Sequence, residues 1–143
     1  MFKESHAFSG FSVNNLDAAE TFYRDTLGLD VWRLTEGNMD MLMLKLATGG
    51  RVLLYAKGDA HEPASYTVLN FPSADVEASV DELTAKGIQF ERYPDMPWQD
   101  EKGIARGKKA NMGPDIAWFK DPAGNILAVL SDDPIAAEQA DQA

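Results

Sequence analysis

At 143 residues, 45% apolar and 25% charged, the chain has the size and composition of one ordinary globular domain, and no apolar run approaches the roughly 20 residues that cross a membrane. Zero Cys excludes disulfides, thiolate metal sites and Cys nucleophiles, and two His would leave any metal to carboxylates. A net charge of −10 repels phosphate backbones, so no nucleic-acid partner is expected, while a cationic small ligand is favoured at long range.

Met1–His6 carries no basic region followed by an apolar stretch, so no secretory leader is read and a cytoplasmic setting is expected. Residues 5–13 have the aromatic and β-branched content of a strand and end at Asn14-Asn15, which suit a helix cap. Leu16, Ala19, Phe22, Tyr23 and Leu27 then recur at helical spacing, and Gly28 closes the helix. Three more strands are predicted at 29–34, 39–46 and 51–57, the last two joined by a hairpin turn at Ala47-Thr48-Gly49-Gly50. The first half therefore reads βαβββ.

Residues 65–72 restart that order with a strand, followed by a helix marked by Val76, Val80 and Leu83 and ended by Gly87. Gly28–Leu34 parallels Gly87–Tyr93, and Gly50–Tyr55 parallels Gly124–Val129, at offsets near 60 and then 74 residues. Two copies of one supersecondary unit are expected: module one over 5–57, a linker at 58–64, module two over 65–131, and a frayed acidic tail at 132–143. The change of offset reflects an insertion, Pro94–Gly113.

The stretch Phe-Ser-Val-Asn-Asn-Leu-Asp-Ala-Ala-Glu-Thr-Phe-Tyr-Arg-Asp-Thr-Leu-Gly-Leu-Asp-Val (11–31), together with Asp-Pro-Ala-Gly-Asn (121–125), closely resembles the vicinal oxygen chelate superfamily. That superfamily includes glyoxalase I, extradiol dioxygenases, fosfomycin-resistance enzymes and bleomycin-resistance proteins. The resemblance, from about residue 5 to 131, implies an α+β fold in which two βαβββ modules form a curved, cup-shaped mixed sheet around the active site. It also implies a homodimer. Metal-dependent members draw His, Glu or Gln ligands from the first and last strand of each module. Counting from the helix starts and the Gly turns places those positions on Phe8, Leu54, Val68 and Ala128. None can coordinate a cation, so neither a metal nor another cofactor is expected.

Strand alternation puts His6, Phe8, Gly10 and Ser12 on the cup face, with Tyr66, Val68, Asn70 and Pro72 as their counterparts. Pairing the hairpins about their turns adds Met41, Met43, Leu54 and Ala56, then Asp115, Ala117, Ala128 and Leu130. The expected result is an apolar, Met-containing hollow for a small molecule. His6 also reads as a solvated strand residue, Asp115 as an exposed turn residue, and Tyr66 and Asn70 as ordinary sheet packing; His61, in the linker, reads as structural or solvated. Trp98 and Ile104 of the insertion are expected to close over the cup as a lid, with Gln99, Lys102 and Arg106 giving polar contacts at its mouth. The alternative is that Trp98 staples the loop to a strand.

Two functions are carried forward. One is a metal-free protein that binds a small molecule in the cup, as bleomycin-resistance proteins sequester their drug. The other is an enzyme, a lyase, isomerase or dioxygenase, with a non-standard metal site or a side-chain acid or base drawn from Asp115, His6 and Tyr66.

Overall fold

The computed structural model describes residues 1–96 and 98–131; the tail expected to fray, 132–143, lies outside them. The chain divides into two units, one made of Met1–Pro63 with Asp121–Gly124, the other of Ala64–Lys120 with the residues from Asn125 on. Among the described residues no helix is long and apolar enough to cross a membrane.

In unit one, β1 (Ser9–Val13) leads to Asn15, whose side chain accepts the Ala18 N–H at 2.9 Å and so opens α1 (Leu16–Thr21). The predicted single helix changes character at Phe22. Phe22–Thr26 form a wider π turn, with the Leu27 N–H reaching the Phe22 carbonyl at 3.0 Å. β2 (Asp30–Glu36), β3 (Met39–Lys45) and β4 (Arg51–Ala56) follow, and the sheet has the order β1-β4-β3-β2, with β1 parallel to β4. Its helix-packed face is sealed by Val13, Val31, Leu42, Leu44, Val52 and Leu54 against Leu16, Ala19, Phe22 and Tyr23, all buried. Complete burial of each large aliphatic side chain contributes about 1.5–3 kcal/mol.

Unit two repeats the plan with β5 (Thr67–Ser73), α2 (Val76–Ala85), β6 (Ala105–Arg106), the short α3 (Gly107–Ala110), β7 (Asp115–Lys120) and β8 (Ile126–Ser131). The order is β5-β8-β7-β6, with β5 parallel to β8. Asp75 caps α2 through the Ala78 N–H at 3.0 Å. Val76, Val80, Ile104, Ala117 and Val129 form the helix-side core, and Phe90 packs against it.

Unit two departs in two places from the plan expected of a second copy. The segment 87–93 is not a regular strand. It gives one ladder bond, from the Glu91 N–H to the Trp118 carbonyl at 2.7 Å; the chain then turns away and returns as β6 opposite Ile116 and Asp115. Nor is the insertion the expected lid: Ile104 is wholly buried in the helix-side core, and Lys102 binds Asp81 at 2.9 Å and Glu77 at 3.2 Å on α2.

What shapes this excursion is Asp100. Its carboxylate accepts the N–H groups of Lys102 and Ile104, each at 2.9 Å, and Nε of Arg106 at 2.9 Å. Burial works against the charge, but those donors outweigh it and hold the carboxyl below the usual carboxylate range. Arg92 adds hydrogen bonds to the carbonyls of Asp100 and Glu101. Gly103, at φ +89°, completes the bend where a Cβ would come within 2.9 Å of Phe90 Cβ.

Candidate functional site

Each sheet has a second face that its helix does not cover. On sheet two this face is centred on Trp118, which alternates with the core residues Ala117 and Phe119 and is level with Ala128 and Asn70 across the ladders. The indole N–H of Trp118 donates to Thr67 Oγ1 at 3.2 Å, and Tyr93 meets the ring edge-on, centroids 5.4 Å apart at 79°. With Ser65, Tyr66, Met96 and Ile126 these residues line a hollow of about 240 Å³.

Tyr93 is held from behind. Its N–H donates to Gln99 Oε1 at 2.8 Å, while Gln99 Nε2 donates to the carbonyls of Glu91 at 3.0 Å and Gly103 at 3.1 Å. Burial, reinforced by Glu91, pushes the Tyr93 phenol up, so it stays neutral at physiological pH and able to donate a hydrogen bond. Gln99, expected at a pocket mouth, therefore positions an aromatic wall.

On sheet one, Met41, Met43, Leu53, Tyr55, Trp32 and Phe8 lie on the face opposite Leu42, Leu44, Val52 and Leu54. Phe8, Trp32 and Tyr55 are exposed, an unusual density of large apolar groups in contact with solvent.

The sequence-derived site residues divide accordingly. Phe8, Met41, Met43, Asn70 and Ala128 lie in open-face positions, Ala128 fully buried, and Tyr66 lines the aromatic hollow. His6, just before β1, lines a separate groove with Arg51. Val68 is the extra residue of a bulge, since Thr67 pairs with Ile126 and Leu69 with Leu127. Trp98 is half-buried, and its carbonyl accepts the Arg106 N–H at 3.2 Å.

Leu54 and Asp115 are on the opposite faces from those expected. Leu54 pairs with Leu42 and is fully buried on the helix side. The cause is one residue of turn: Leu46 and Gly50 still bond to each other, leaving a three-residue loop, Ala47-Thr48-Gly49, with Gly49 at φ +91°. A loop one residue shorter reverses every side chain of β4 relative to the predicted phase, bringing Leu53 and Tyr55 to the open face in place of Leu54 and Ala56. On β7 the same parity applies, because Lys120 pairs with Ile126 and Ala117 with Val129. Asp115 thus binds the Lys108 N–H at 3.1 Å and lies 3.7 Å from Arg106 on the helix side, engaged there rather than poised as a base.

His61 is structural, as expected. Its Nδ1 is 2.7 Å from Ser12 Oγ and its Nε2 2.9 Å from the Ala123 carbonyl. Also in unit one, the buried Tyr23 hydroxyl donates to Asp121 Oδ2 at 2.7 Å; burial, then the carboxylate, raises the phenol far above its ordinary range. This pair fixes the Asp-Pro-Ala-Gly turn.

The superfamily's metal does not fit these residues. With β4 re-phased, Leu53 takes the place assigned to Leu54, and Phe8, Leu53, Val68 and Ala128 supply no oxygen or nitrogen side-chain donor. Among the described residues no three His, Asp or Glu side chains gather where they could hold an ion.

Two copies of a strand-helix-hairpin unit, each with its first strand parallel to its last, and an aromatic hollow on an uncovered sheet face, define a class. A model of the Glyoxalase/Bleomycin resistance protein/Dioxygenase superfamily matches residues 6–129, and the chain belongs to that superfamily. Its fold is that of solved members. An antibiotic-binding protein, TnmS3 of Streptomyces sp. CB03234, is 21% identical at TM-score 0.60, covering 89% of this chain and 96% of its own. A lactoylglutathione lyase of Agrobacterium tumefaciens is 25% identical at TM-score 0.58, with 89% and 93% covered. A glyoxalase family protein of Enterococcus faecalis is 23% identical at TM-score 0.62, with 91% and 99% covered. No curated protein is similar enough in sequence to match.

Proposed function

We propose that this chain is a metal-independent small-molecule binding protein whose ligand presents a flat, aromatic surface to Trp118, Tyr93 and Tyr66. The observation that carries this reading is the hollow itself, with its Trp ring oriented by Thr67 and its Tyr ring braced by Gln99. Preordered aromatic walls bind planar ligands at low entropic cost, and a neutral phenol adds one directional donor. The lack of donor side chains at the four ligand positions supports chemistry without a Lewis acid. The fold-level likeness to an antibiotic-binding protein supports binding as the function.

The test uses 2-naphthol as a planar probe in the presence of a chelator, measured by calorimetry. Trp118→Ala is expected to weaken binding by about 1–3 kcal/mol while the protein stays folded. Unchanged affinity in that variant, or binding only after a divalent metal is supplied, would overturn the proposal. The homodimer and the cytoplasmic setting belong to the same reading; a monomer by light scattering would remove the first.

A further inference from the structure

Two cations stand side by side on the open face of sheet one. Lys45 and Arg51 are direct partners in the β3–β4 ladder, and both are exposed. Like charges so placed repel and cost stability. Among the described residues neither is paired with a carboxylate, although the chain has 23 acids and 13 bases. Asp30, the ladder neighbour of Lys45 on β2, instead accepts the Trp32 indole N–H at 2.9 Å.

Each cation rests on an aromatic ring. Lys45 Nζ lies 3.4 Å from the Trp32 centroid, and the Arg51 guanidinium carbon 5.0 Å from that of Phe8. A ring holds a charge without consuming its N–H donors, so the donors remain available to an acceptor. Beside Arg51 a groove of about 360 Å³ is lined by His6, Ala7, Gly49 and Gly50. Two residues along the ladder, on the same face, Met43 pairs with Leu53 and with Trp32, continuing the surface as apolar.

We propose that this corner binds an amphipathic anion, its carboxylate, sulfonate or phosphate group on Arg51 and Lys45 and its flat apolar body on Trp32, Met43 and Leu53. The charge complementarity is local and opposes the acidic character of the whole chain, which favours cations at a distance. These residues are not those of the hollow around Trp118, so either reading can fail alone.

The test compares two probes of nearly the same shape, 8-anilinonaphthalene-1-sulfonate and the uncharged N-phenyl-1-naphthylamine, by fluorescence titration. The sulfonate is expected to bind about tenfold more tightly, and Arg51→Gln or Lys45→Gln to lower its affinity about tenfold while changing the neutral probe less than twofold. Both side chains are exposed, so melting curves should remain close to the parent's. Raising the salt to about 0.5 M should weaken the sulfonate alone. Equal affinity for the two probes, or sulfonate binding unchanged in both variants, would overturn the proposal.

Discussion

Units one and two share a strand order but close the outer edge of their sheets by different means. β2 pairs with β3 through seven residues, Asp30–Glu36, whereas β6 pairs with β7 through two. In unit one the edge seals its side of the core by alternation, with Val31 turned inward. In unit two that task falls to Ile104, delivered by a loop whose bend is set by one carboxylate. The difference teaches that the supersecondary plan fixes where an edge must be, while local polar chemistry can replace the strand that usually forms it. The same loop braces Tyr93 through Gln99, so the irregular edge is also the one tied to the aromatic hollow.

The irregular edge depends most on Ile104. Ile104→Ala should destabilise the protein by about 2–4 kcal/mol in urea unfolding, because a fully buried side chain leaves a cavity. A loss below 1 kcal/mol, roughly the scale of a surface change, would mean the loop does not seal the core. Asp100→Ala should cost about 2 kcal/mol at neutral pH through three lost charge-assisted hydrogen bonds. Because its folded-state pKa is depressed, Asp100 contributes stability above its unfolded value, near 3.9, and that contribution fades as pH falls through the lower folded value. The gap between parent and variant should therefore be widest above about pH 5 and shrink on acidification; a gap independent of pH would contradict this account. Tyr23→Phe should cost about 1.5 kcal/mol by removing a donor from Asp121 within unit one, measured by the same unfolding curves. Smallest is Gly49→Ala, at about 1 kcal/mol, for the left-handed residue of the three-residue turn; no change would mean that turn relaxes freely.

Much of the fold was legible. Period and caps located both helices, with Asn15 capping α1, and the offset between copies revealed the duplication. The edge at 87–93 was legible only in place: Glu91 does lie beside Trp118, but nothing in its pattern announces that pairing stops after one bond and resumes twelve residues beyond Tyr93, at Ala105-Arg106.

The site was legible in part because facing depends on parity. Phe8, Met41, Met43 and Ala128 stand on the expected face, whereas Leu54 and Asp115 take the other one because the register across each turn differs by one residue from the one the repeat implies. Trp118 was missed for the same reason. Its signal was present, since a Trp between the small or apolar residues Ala117 and Phe119 must take the face they leave. Tyr93 and Gln99 could not be joined from sequence, because their contact depends on how the chain returns from its excursion.

The central claim, an aromatic ligand held at Trp118 without a metal, is tested most directly by fluorine NMR of protein labelled with 5-fluorotryptophan, which reports separately on Trp32, Trp98 and Trp118. With chelator present, saturating 2-naphthol should shift the Trp118 resonance most, and adding zinc afterwards should leave the shift and the affinity unchanged. A Trp118 resonance that stays in place until metal is added would contradict the account.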